Sequence, residues 1–218
     1  MSLSKKKYLL LDLIMVIPLP FLMSYSLVEE TAHEWLGIAT ILVFFLHGIF
    51  HFQWYKKIRI GIHSTLHTLF VVINSLLFLD IFLLLYTGFN LSANFFVPRF
   101  HNSFESIAPV LHLCCSHWGL VLMSIHLGLH GNLISSILKK KKSQKILFYI
   151  GSLISLYGIY AFLKNQFLTY LFPLSTSIFY TTNTSLLLSL GDYFSIIILF
   201  TEIGYLLFRF LNRIKRST

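Results

Sequence analysis

Charge is scarce in this chain. Only 11% of its 218 residues are Asp, Glu, Lys or Arg, against 56% hydrophobic ones. A soluble domain carries about a quarter charged residues, so an ordinary soluble fold is excluded. Acidic residues are the scarcest: eight, against 17 Lys and Arg, for a net charge of +9. A nucleic-acid partner would call for a basic face or stripe. Here the basic residues sit in short clusters between apolar runs, the pattern of membrane topology signals, and no nucleic-acid partner is expected. Cysteine is limited to Cys114 and Cys115. Adjacent on one helix, they are poorly placed to bridge each other and read as small packing residues. No flavin or nicotinamide fingerprint is present, and no polar stretch leaves room for such a domain.

What the chain has is long apolar runs. They predict an all-α integral membrane fold, one polytopic domain over residues 1–218, with six transmembrane helices at about 8–28, 31–55, 63–89, 107–138, 146–163 and 185–210. The N-terminal run follows Lys5 to Lys7, as in a signal peptide. It is long, carries Pro18 and Pro20, and has no small-residue cleavage site before Glu29, so it reads as a retained first span that the prolines kink. Segments 90–106 and 164–184 are mixed in composition and are expected to lie along the membrane surface in part. With six spans, Lys5 to Lys7, the clusters after the second and fourth spans, and the tail from Arg209 all fall on one side. The other side keeps Arg99 and Lys164. By the positive-inside rule both termini are cytoplasmic.

The second and fourth spans share a spacing. HEWLGIATILVFFLHGIFH runs from His33 through His47 to His51, and HLCCSHWGLVLMSIHLGLH from His112 through His126 to His130. Each reads His, thirteen residues, His, three residues, His. Fourteen helical steps return to within roughly 40° of their starting direction and rise about 21 Å. Each helix thus carries two imidazoles along nearly one face, one toward each side of the bilayer. Facing helices pair them by depth, His33 with His112 and His47 with His126. Each pair has the ligand set that holds a haem iron from both sides. There is no CxxCH, so covalent c-type attachment is not indicated and two b-type haems are expected. His51 and His130 are alternative inner ligands, or partners for haem propionates or a quinone. Gly37, Gly48, Gly119 and Gly128 would let a wide porphyrin approach the backbone, or would serve helix packing.

Other residues stay open. His63 and His67 begin the third span and could serve a quinone or proton-entry site, while His101 and His117 receive no role. Asp80, Asp192 and Glu202 lie in or near apolar spans, where a carboxyl relays protons or pairs with another helix. Asn90-Leu91-Ser92 and Asn183-Thr184-Ser185 fit the glycosylation triplet but carry little weight alone. The HxxxH pairs at His47/His51, His63/His67 and His126/His130 offer a rival reading, a membrane non-haem di-iron enzyme. That reading lacks HxxHH boxes and leaves His33 and His112 idle. A non-redox transporter or scaffold is the third.

The segment from LDLIM to HEWLGIATILVFFLH, the run HWGLVLMSIHLGLHGN, and the later YGIYAFLKN and GDYF resemble the flavinylation-associated cytochrome family of bacterial membrane proteins. The resemblance covers nearly the whole chain. It implies a cytochrome b-like bundle with two haems between helices two and four, ligated by His33, His47, His112 and His126. It also implies a place in the bacterial cytoplasmic (inner) membrane, passing electrons from the quinol pool to an extracytoplasmic flavin-carrying protein. Such a chain is an electron-transfer subunit rather than a stand-alone enzyme. At the family's tryptophan position after the second histidine helix this chain has Gly131. The four-histidine plan is also similar to cytochrome b of quinol-oxidising complexes and to transmembrane ferric reductases.

Overall fold

The computed structural model describes residues 14–51, 65–92, 107–131, 140–172 and 185–217. Five of its helices are long and apolar enough to cross a membrane. They are α2 (Glu30–Phe50), α3 (Thr65–Leu91), α4 (Ala108–Leu129), α5 (Lys141–Lys164) and α7 (Leu186–Ser217). Two shorter helices, α1 (Ile14–Met23) and α6 (Phe167–Leu171), complete the described part. The shortest long helix, α2, has 21 residues and so reaches about 32 Å, enough for a hydrocarbon core about 30 Å thick. Large apolar side chains point outward from these helices, among them Leu42, Leu79, Leu153 and Leu187. Such a surface is stable against lipid and costly against water, so the fold is that of a multi-pass helical membrane bundle.

The expected first span is described only from Ile14, and residues 8–13 lie outside the described residues. Pro18 has no N–H to donate, and the helix loosens into a turn at Ile17 and Pro18 before resuming at Leu19. Ser24 then closes α1, its hydroxyl donating to the Pro20 carbonyl at 2.8 Å. A 3-10 turn over Tyr25–Leu27 and extended Val28 lead into α2.

Helix α4 is the centre of the bundle. It packs along α3 on one side and α7 on the other, and α7 in turn packs along α5. Glycine sets the α4–α7 crossing: a Cβ at Gly128 would run into the backbone of Thr201, Gly204 and Tyr205, and one at Gly204 into that of Ile125. Close backbone approach through small residues is how membrane helices gain packing without a hydrophobic drive between them. Gly158 does the same between α5 and Ser195 of α7. Leu120, Val121, Ala161, Ile196 and Ile197 fill the core between these helices.

The start of the segment after α5 packs one side onto the bundle and leaves the other exposed. Asn165 ends α5 by donating from Nδ2 to the Ala161 carbonyl at 2.9 Å. Gln166 turns the chain in the left-handed region at φ 49°, and α6 folds inward with Phe167 fully buried. The Leu171 carbonyl accepts from Trp118 Nε1 at 3.0 Å and from the Cys114 thiol at 3.4 Å, tying α6 to α4. Residues 173–184 lie outside the described residues, as does most of the expected surface segment 90–106.

Candidate functional site

Helices α2 and α4 turn histidines toward each other at one end of the bundle. The ring centres of His33 and His112 lie 6.4 Å apart. A cavity of about 470 Å³ opens beside them, lined by both rings and by Gly37, Phe44 and Gly88 among others. The proton on His112 is placed by its neighbour. Thr87, fully buried on α3, donates its hydroxyl to the Leu83 carbonyl at 2.7 Å. Its oxygen is left to accept from His112 Nδ1–H at 3.0 Å. A neutral imidazole protonated at Nδ1 keeps its lone pair on Nε2, where a metal binds. On the opposite wall, Tyr25 meets His33 edge-on at 5.0 Å.

At the other end four histidines gather. His47 and His51 have ring centres 4.4 Å apart, and His126 and His130 4.7 Å apart. The Nε2 atoms of His126 and His130 are in hydrogen-bond contact at 3.2 Å. His47 and His51 on α2 are close enough to His126 to act on it electrostatically. Phe70 of α3 packs against both α4 rings, at 6.1 Å from His126 and 5.1 Å from His130. The structure brings the expected inner residues together and leaves both pairings, His47/His126 and His51/His130, open.

The remaining expected residues fall in different places. Gly37 lines the cavity, and Gly48 has open space where a side chain would be. Gly119 and Gly128 instead serve packing: Gly119 makes room for Asp80 of α3, and Gly128 for the α7 backbone. His117 is buried, stacked on Tyr170 at 4.7 Å, with Nδ1–H donating to the Leu113 carbonyl at 2.8 Å, and it lines the far wall of the cavity. His67 lies in the first turns of α3. His63 and His101 lie outside the described residues. Asp192 pairs helices: it is buried on α7 and accepts from Tyr157 at 2.7 Å, Lys164 at 2.7 Å and Asn165 at 3.1 Å. Glu202 accepts from Ser152 of α5 at 3.0 Å.

Thr87 and Gly88 were not legible as site residues from spacing alone. The signal that finds them is antiparallel register. Seven residues down α3 match seven along α4, so Thr87 stands opposite His112 as Asp80 stands opposite Gly119.

The chemistry of the His33–His112 pair would fit axial haem ligation. The donor set is two imidazoles facing each other from separate helices. Imidazole nitrogens bind metals such as zinc at about 2.0–2.1 Å, and similar bonds on opposite sides of one ion put the ring centres roughly 6 Å apart. His33 Nδ1 is buried without a hydrogen-bond partner, a costly state that a bound group's own polar atoms would relieve. The cavity falls in the size range of cofactor sites, about 300–1,000 Å³. No family model matches the chain, and no curated protein or solved structure matches it either.

Proposed function

We propose that this chain is a dihaem b-type cytochrome of the bacterial cytoplasmic membrane. It would carry electrons across the bilayer between the quinol pool and an extracytoplasmic redox protein, a flavoprotein by the family resemblance. The observation that carries the reading is the His33–His112 pair, held 6.4 Å apart by two different helices beside a cavity. His33 and His112 would hold the outer haem, with Gly37 and Gly88 leaving room at its edges. His126 with His47, or His130 with His51, would hold the inner one. A haem so held supplies a one-electron iron couple. The chain supplies two levels for it, separated by fourteen residues of helix in both α2 and α4. Thr87 would orient His112 through their 3.0 Å hydrogen bond, as groups bonded to the far nitrogen of a metal-bound imidazole do. In this reading the spans number six, both termini face the cytoplasm, and His33 and His112 lie toward the outer face.

The test is a dithionite-reduced minus oxidised spectrum of protein purified from haem-replete cells, with a pyridine haemochrome assay. Sharp α and Soret bands and b-type haem near two per chain are expected. Protein carrying iron without haem would favour the di-iron enzyme, and protein with neither would favour the transporter or scaffold.

A further inference from the structure

Three carboxyl groups lie within the apolar length of the described helices, and two of them are satisfied. Asp192 has three donors and Glu202 has Ser152. Asp80 differs. It is buried, 6% exposed, in the middle of α3. Among the described residues the Cys115 thiol is the polar group beside it, and its Oδ2 has no hydrogen-bond partner there. The bundle makes space for this carboxyl: a Cβ at Gly119 would sit 2.5 Å from Oδ2. An under-satisfied acid at mid-membrane costs stability, and such residues mark proton or ion chemistry.

Its position adds the second observation. Gly119, which faces it, is seven residues from His112 and seven from His126. Asp80 therefore stands midway between the two histidine levels, about 10 Å along the helix from each. A unit charge added at that distance, at an effective dielectric constant of about 20, shifts a proton equilibrium roughly tenfold.

We propose that Asp80 is a redox-linked proton site, taking up a proton when an electron enters the span and releasing it when the electron leaves. The inference rests on reading the histidine levels as haem ligands. The step balances simply. One electron from a quinol-class donor would lower the charge of an iron held by the histidines by one unit. One proton from water converts the Asp80 carboxylate to the acid, and the charge added to the low-dielectric interior is cancelled.

Few other groups compete for that role. From α4 the titratable groups facing Asp80 are Cys115 and Cys114. From α2 the only ones along its length are Glu30, His33, Glu34 and His47, which sit toward the two ends. On α7, Glu202 is turned to α5 and Asp192 is held by Lys164. On α3 itself only His67 and Tyr86, near its ends, titrate besides Asp80.

The experiment is a potentiometric titration of the haem-loaded full chain over a series of pH values. In the wild type at least one midpoint potential should fall as pH rises, by about half a proton per electron at its steepest, or about 30 mV per pH unit, since a tenfold shift in the proton equilibrium corresponds to about 59 mV in all. Asp80→Asn should flatten that slope while keeping both haems. An unchanged slope in Asp80→Asn with both haems present, or a pH-independent wild type, overturns the proposal. Should Asp80→Asn lose haem, the reduced-minus-oxidised infrared spectrum of the wild type decides. A carboxylic C=O band that grows on reduction and shifts in Cys115→Ala supports the proposal; no band, or one indifferent to Cys115→Ala, overturns it. A wild-type chain that binds no haem at all fails the proposed function first, and this inference with it.

Discussion

Helices α2 and α4 carry the same histidine spacing, yet α4 buries nine of its residues and α2 buries none. The difference lies in what each packs against. Helix α4 is wedged between α3 and α7, with backbone meeting backbone at Gly128 and Gly204. Helix α2 touches α1 and α3 only lightly, and its inward face looks into the cavity beside His33. Protein interiors are packed as densely as organic crystals, so a spanning helix with no buried residue is short of a neighbour. In the proposed reading that neighbour is the pair of haems. Helix α4 is then the fixed wall, and α2 is held in place through what it ligates.

The largest effect should come from cutting the His33–His112 ring contact, which joins the two copies. His112→Ala and His33→Ala should each lower the pyridine haemochrome from two haems per chain to one, with the inner spectrum retained. Equal loss from both variants is the diagnostic result, because the two residues differ so much in packing. If His33→Ala kept both haems while His112→Ala lost one, α2 would not be a partner in the site.

Next comes the wall. Gly128→Leu places a side chain where Thr201, Gly204 and Tyr205 already stand. Overpacking of this kind costs about 3 kcal/mol. A marked fall in thermal midpoint in detergent is expected even for protein prepared without haem. No position on α2 should show a comparable haem-independent loss, since no whole residue of that helix is buried.

The bundle was legible because hydrophobic length and histidine spacing are local in sequence. The long helices appear where the apolar runs predict them, with shifts of a few residues at most ends. Two kinds of feature were not legible. Composition marked segment 164–184 as interfacial because Tyr, Phe and Thr suit a membrane surface. Which of its side chains enter the core is not in that composition: Gln166 turns the chain so that Phe167 is buried, and only the fit of Phe167 against α4 reveals that. For the glycines of α4 the sequence leaves two uses open, room for a porphyrin or helix packing. What Gly119 and Gly128 face is set by residues on α3 and α7 far away in sequence. Thr87 escaped for the same reason: its role exists only once α3 and α4 are in register.

Thr87 offers a smaller effect on the α4 side. Thr87→Val removes the acceptor for His112 Nδ1–H but keeps the shape of the side chain. Loss of a hydrogen-bond partner behind a metal-binding imidazole lowers metal-site affinity about 10- to 100-fold. The variant should lose the outer haem to a competing apo-acceptor faster than the wild type and show a shifted outer midpoint potential. Thr87→Ser, which keeps the hydroxyl, should restore both. A Thr87→Val chain with wild-type retention and potential would mean that packing alone orients His112.

The smallest expected effect lies on α2. A Cβ at Gly48 meets nothing within 4 Å, so Gly48→Ala should change the thermal midpoint of haem-free protein by no more than about 0.5 kcal/mol of stability. Its value is as the counterpart of Gly128→Leu. Gly48 follows His47 in the chain, and the sequence reads it as a place where porphyrin meets backbone or where helices pack. If an inner haem occupies that space, Gly48→Ala should weaken inner-haem retention while leaving the haem-free fold and the outer haem unaltered. Unchanged retention would move the inner haem away from Gly48 and leave His47 supported by α2 alone. A loss of fold stability without haem would show that α2 is packed after all, and the contrast between the two histidine helices would have to be redrawn.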